Sequence, residues 1–152
     1  MHGQVSASKR QESRVAPARR SNRAFTSSRS TVQSIGRLFA RSRQSGLNRA
    51  SDLKIADIGC GTGAATRVLA RELDAHVTAV DFLPELLAQL EDAAGRAGLA
   101  DRITTLCASM ESLPFAESEL DAIWSEGAIY NMGFAAGITA WRPFTRVALM
   151  AS

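Results

Sequence analysis

The sequence predicts an α/β fold built on a doubly wound parallel sheet, and three observations point to it. The apolar run Lys54-Ile55-Ala56-Asp57-Ile58 enters a loop that carries Gly59, Gly61 and Gly63. A second short apolar run, residues 77–80, ends on the carboxylate Asp81, 22 positions after Gly59. Strand-like runs then alternate with amphipathic stretches of about ten to fifteen residues, the pattern of parallel strands joined by right-handed helical crossovers.

The elements follow in order. Residues 30–43 read as a helix because Val32, Ile35, Leu38 and Phe39 recur at helical spacing, with Gly46 and Asn48 as the stop. Residues 53–58 form the first strand. Residues 63–73 form a helix whose buried stripe is Ala64, Ala65, Val68, Leu69 and Leu73. Residues 77–80 are the second strand. Pro84 opens the next helix, where its missing N–H costs nothing. That helix runs to about Arg96 with Leu86, Leu87, Leu90, Ala94 and Ala97 inward, and Gly98 stops it. β-branched Ile103, Thr104 and Thr105 mark a third strand over 103–107, and residues 121–124 belong to a fourth. Residues 135–144 supply a further helix and residues 146–150 a fifth strand, with Pro143 the only breaker between them.

Alternating glycines let the chain turn sharply and leave no Cβ between a ligand and the following helix N-terminus. A carboxylate ending the second strand is placed to accept hydrogen bonds from a ribose diol. Loop, helix, strand and acid together describe the first βαβ unit of a Rossmann-like sheet that binds an adenosine-containing cofactor at its carboxyl edge. Gly59, Gly61 and Ala64 fit a dinucleotide fingerprint, but Gly63 and Asp57 lie outside that fingerprint.

Acid-x-G-x-G-x-G over Asp57 to Gly63 resembles motif I of class I S-adenosylmethionine-dependent methyltransferases. Val80-Asp81-Phe82-Leu83-Pro84-Glu85-Leu86-Leu87 resembles that family's second motif, where the acid holds both ribose hydroxyls. Ser109-Met110-Glu111-Ser112-Leu113-Pro114-Phe115, followed by Leu120-Asp121-Ala122-Ile123-Trp124, resembles its third strand end and fourth strand. The resemblance spans residues 52–134 and specifies the cofactor, S-adenosyl-L-methionine, far better than the acceptor. It implies that Asp57 meets the methionine amino group, that the backbone of Gly59, Cys60, Gly61 and Gly63 approaches methionine and ribose, and that Asp81 holds the ribose beside Phe82. Ser109 stands where the family often has Asp or Asn against the adenine amino group, which leaves Met110 to pack there. Glu126 falls near the donor's reactive end, with Tyr130 and Asn131 on the acceptor side. No residue stands out as a catalytic base, Glu126 being the best candidate. The family continues into two antiparallel edge strands. The chain stops at Ser152, so the expectation is a C-terminally truncated domain, 31–152, prone to self-association along its open sheet edge.

Charge divides the chain. Residues 1–50 carry eleven basic residues and one acid, whereas residues 51–152 carry seven basic and fourteen acidic ones. Residues 1–30, rich in Arg and Ser and poor in large apolar residues, are expected to be a disordered tail. A tail without a dedicated role, a targeting presequence and a nucleic-acid arm all fit that composition, although little aromatic content interleaves with the arginines to stack on bases. No apolar run approaches membrane-spanning length and no secretory h-region opens the chain, so a cytoplasmic protein without a membrane partner is expected. Cys60 and Cys107 are expected as free thiols at the ends of neighbouring strands, and His2 and His76 have no metal-ligand neighbours, so no metal site is expected. The leading function is methyl transfer to a small-molecule acceptor. The alternatives are a cofactor-binding fragment with impaired catalysis and a nicotinamide-dependent oxidoreductase.

Overall fold

The computed structural model describes residues 53–151 and the single position Arg37, which is helical. The expected tail over 1–30 and all of the expected 30–43 helix except Arg37 lie outside the described residues, as do its stop residues.

Strand β1 (Lys54–Ile58) leads through the glycine loop into helix α1 (Ala64–Leu73). Strand β2 (His76–Asp81), helix α2 (Pro84–Arg96) and a short turn of 3-10 helix (Ala100–Arg102) lead to strand β3 (Ile103–Cys107). Strand β4 (Leu120–Ser125) is followed by a 3-10 turn (Ala128–Asn131), helix α3 (Phe134–Trp141), a second 3-10 turn (Arg142–Phe144) and strand β5 (Thr145–Ala151). The five strands form one sheet in the order β3-β2-β1-β4-β5, and every pairing is parallel. The chain runs outward from β1 to β3 and then returns to the other side of β1. The strand order therefore reverses between β1 and β4, and the carboxyl ends there form a crevice.

The sheet separates two apolar layers. Ile55, Val77, Ala122 and Trp124 face one side and pack with Val68, Leu69 and Leu73 of α1 and Ala94 of α2. Ala56, Ile58 and Ile123 face the other side and pack with Trp141 of α3 and with Ile129. All six residues of β4 are buried, as expected of a central parallel strand covered on both faces. Helix α2 closes with the Gly98 N–H donating to Gly95 O (3.2 Å) and the Leu99 N–H to Ala94 O (2.9 Å). That pair of bonds is the Schellman arrangement, and it turns Leu99 into the core.

Three details differ from expectation. Ala64 is exposed and Thr66 and Ala70 are buried, because Thr66 enters the core with its hydroxyl bonded to Asp57. Ala97 is exposed because it caps α2 at the surface. Cys60 and Cys107 do not end neighbouring strands, since β2 lies between β1 and β3; both are free. Among the described residues no helix is long and apolar enough to cross a membrane.

Candidate functional site

A cleft of about 600 Å³ opens at the carboxyl edge of the sheet. Six of the residues singled out in the sequence line it: Gly59, Asp81, Phe82, Ser109, Met110 and Asn131. Asn131 lies on the wall beyond β4, with Ala128 and Met132. Leu86 and Glu111 also line the cleft. The sequence reading assigned neither a site role. Leu86 reads as one more apolar residue in a helical stripe, and Glu111 as a solvated acid.

The glycine loop is tied to the end of β2. Gly59 and Cys60 N–H groups both donate to Val80 O, at 2.8 and 3.0 Å. Gly59 adopts φ +74°, and a Cβ there would run into the side chain of Ala128. Gly63, at φ +73°, lies against Leu90 of α2 just as closely. Gly61 is different. It also has a left-handed φ, +54°, but nothing lies within 4 Å of where its Cβ would stand.

Asp81 is the hub of this edge. Its Oδ2 accepts the Gly61 N–H at 2.9 Å and its Oδ1 accepts the Leu83 N–H at 3.0 Å. Its backbone carbonyl accepts the Ala108 N–H at 3.1 Å, which fixes the start of the loop after β3. One residue thus joins the glycine loop, the entry to α2 and the far wall. Phe82, next in sequence, is 71% exposed at the cleft, and Leu83 is also exposed.

Asp57 does not line the cleft. It is 1% exposed, directed toward α1, and its Oδ2 accepts the Thr66 hydroxyl at 2.6 Å. Burial pushes its carboxyl up to about 7; the Thr66 hydrogen bond opposes this, and the nearby carboxylates Glu126 and Asp81 add to it. Cys60 is half-buried, and its thiol is pushed up to about 12 by burial and by the charges of Asp57 and Asp81. It is therefore protonated at neutral pH and a poor nucleophile. Gly63 lies beneath the loop as the N-cap of α1, and half-buried Glu126 follows β4 near Asp57. On the exposed rim Tyr130, 65% exposed, stacks on Phe134 with ring centroids 6.4 Å apart.

Hydrogen bonds set the remaining walls. The buried Ser125 hydroxyl donates to Ile58 O at 2.9 Å, bracing β4 against β1 where the strand order reverses. Ser109 Oγ accepts the Glu111 N–H at 3.3 Å, and Ser109 O accepts the Ser112 N–H at 3.0 Å, so the segment after β3 curls on itself. No group of three or more metal-ligating side chains occurs among the described residues.

Residues 55–147 match the family model described as a methyltransferase domain. The chain is 35% identical over 72 residues to a malonyl-[acyl-carrier protein] O-methyltransferase of Herminiimonas arsenicoxydans, covering 47% of this chain and 25% of that one. It is 35% identical over 83 residues to a glycine/sarcosine/dimethylglycine N-methyltransferase of Actinopolyspora halophila, covering 54% of this chain and 14% of that one. The chain thus matches a quarter or less of these relatives' lengths. Among solved structures, a geranyl diphosphate C-methyltransferase from Streptomyces coelicolor A3(2) shares the fold, with a TM-score of 0.61 at 17% identity over 66% of this chain and 38% of that one. The matched residues take in the glycine loop, the strand-end acid Asp81 and most of the sheet, more than half of the chain: the chain belongs to the methyltransferase domain family.

Proposed function

We propose that this domain binds S-adenosyl-L-methionine in the cleft at the carboxyl edge and serves methyl transfer to a small-molecule acceptor. The observation that carries the reading is Asp81, whose two carboxylate oxygens are each oriented by one backbone N–H while the residue lines the cleft. Each oxygen keeps acceptor capacity beyond that bond, which suits a pair of ribose hydroxyls. The fit extends to the rest of the wall. Open space above Gly61 admits a ligand to the backbone, and Phe82 offers an exposed ring beside Asp81 for a base to cover.

Charge favours this donor over a dinucleotide. Among the described residues, those lining the cleft include the carboxylates Asp81 and Glu111 and no Lys or Arg. A pyrophosphate would meet no cationic side chain on that lining, whereas a sulfonium cation would meet complementary charge. When bound, S-adenosylmethionine supplies a methyl group already activated by its positive sulfur. The chain's part is to hold donor and acceptor in line and to exclude water. Asp81 would fix the ribose and Phe82 the base, while Asp57 would act from beneath the glycine loop rather than from the cleft wall. Glu126 is the carboxylate proposed for any proton the acceptor must lose. Both curated relatives named above are methyltransferases, which supports the reaction class. The proposed domain spans residues 31–152.

The test is to titrate the protein with S-adenosylhomocysteine and with its 2′-deoxyribose analogue. Loss of one hydrogen bond to a charged group predicts roughly 10- to 150-fold weaker binding of the analogue. Equal affinities would remove Asp81 from the ribose site and with it the reading.

A further inference from the structure

Trp141 ends α3 and is 1% exposed, yet its indole N–H reaches out of its own helix. It donates to the backbone carbonyl of Met110 at 2.9 Å, across 31 residues of sequence. Met110 and its neighbours Ser109 and Glu111 form one wall of the cleft. The opposite wall, Ala128, Asn131 and Met132, belongs to the 3-10 turn after β4 or directly follows it. Ile129 of that turn is fully buried and packs in the same apolar cluster as Trp141. Helix α3 reaches Ile129 through Gly137, where an added Cβ would lie 2.6 Å from Ile129 Cγ1 and 3.9 Å from the Trp141 ring.

One helix therefore holds both walls, one by a hydrogen bond and the other by close apolar packing. We infer that Trp141 is a positioning residue that fixes the Ser109–Glu111 wall relative to the 128–132 wall, so that ordering one wall orders the other. The Met110 segment needs such a device. Its start is tied to β2 through the Ala108 N–H, and Met110, Leu113 and Phe115 pack against the apolar cluster, but the other bonds of its backbone, from Glu111 to Ser109 Oγ and from Ser112 to Ser109 O, are local. The Trp141 bond adds a directional, long-range anchor at Met110 itself. The Trp141 indole is buried, so its N–H is costly to leave without this acceptor. A ligand seated on one wall would thus meet a preformed second wall. Affinity on the two sides would be linked reciprocally.

The consequence for affinity rests on the proposed cofactor site, but the coupling of the walls does not, and two measurements on the full chain separate them. Amide hydrogen exchange of the ligand-free protein is the first. Trp141→Phe keeps a ring in the cluster and removes the donor. It should speed exchange over residues 108–115 and 127–133 together, about three- to tenfold, with β1 and β2 unchanged. Gly137→Ala perturbs the opposite end, and it too should speed exchange in both segments. If either variant loosens only its adjacent wall, or neither wall, the inference fails. The second measurement is S-adenosylhomocysteine affinity, expected to fall about three- to tenfold in Trp141→Phe. A merely structural tryptophan would lower unfolding stability and leave that affinity intact, which would overturn the positioning role. Absence of binding to the unmodified protein would instead count against the cofactor reading, with exchange still deciding the coupling.

Discussion

Asp57 and Asp81 end adjacent strands, and their surroundings set them different tasks. Asp57 is sealed under the glycine loop with Thr66, where burial pushes its carboxyl from 3.8 up to about 7. Between those values the folded chain holds a proton that the unfolded chain has released. The group's contribution to stability is therefore complete at low pH and is lost as pH rises toward 7, after which a constant penalty remains. Asp57→Asn keeps an acceptor for Thr66 and removes the titration. Its stability relative to the parent protein should rise between about pH 4 and 7 and then level off. Urea denaturation at several pH values checks this, and parallel profiles would contradict it. Asp81, by contrast, works through geometry, and Asp81→Ala should weaken S-adenosylhomocysteine binding by about 1.5–3 kcal/mol. The variant should also lose some stability, because the Gly61 and Leu83 N–H groups lose their acceptor. The glycines separate in the same way. Gly59→Ala combines a left-handed backbone with a clash at Ala128, and about 2–5 kcal/mol of stability should be lost. Gly61→Ala has room, so only about 1–2 kcal/mol should go, while ligand binding suffers more. Denaturation and titration of both variants separate packing from approach.

At the scale of elements, α2 supports the site from behind. Leu90 is fully buried and packs on Gly63, so Leu90→Ala should cost about 2–5 kcal/mol and loosen the glycine loop as well as the helix. Differential denaturation with and without S-adenosylhomocysteine measures both effects. The strands and the first two helices were legible because their local signals agree: apolar runs, a Pro at the start of α2, and Gly98 at its end. The exceptions have physical causes. Thr66 was missed because a hydrogen bond to Asp57, rather than apolar character, places it in the core. Trp141 was missed because a tryptophan in an apolar helix reads as core, and its bond to Met110 exists only once the fold brings residues 31 apart together. Helix α3 ends at Trp141 and continues as a 3-10 turn through Phe144, because Pro143 cannot extend the helical hydrogen bonding. Of the candidate site, the acid and glycine positions were readable from spacing. That Asp57 lies behind the loop and not on the cleft wall was not readable, since its direction depends on which face of β1 meets α1.

For the whole molecule, the order β3-β2-β1-β4-β5 places the crevice over β1, and the described residues that line the cleft fall within 58–132. Residues 1–30 hold few large apolar residues with which to pack, so a chain lacking them should bind S-adenosylhomocysteine with unchanged affinity. Any attraction to polyanions, for which residues 1–50 carry eleven basic side chains, should fall with added salt and with that deletion. The sheet order alone is compatible with either a nucleotide sulfonium donor or a dinucleotide. The distinction rests on Asp81, on the open backbone at Gly61 and on a cleft whose described lining carries no Lys or Arg. Isothermal titration of the full chain with S-adenosylhomocysteine and with NAD, side by side, tests that distinction most directly. The account predicts saturable one-to-one binding of S-adenosylhomocysteine that Asp81→Ala weakens, with NAD at least about tenfold weaker; NAD binding as tightly, or no binding of S-adenosylhomocysteine, would contradict it.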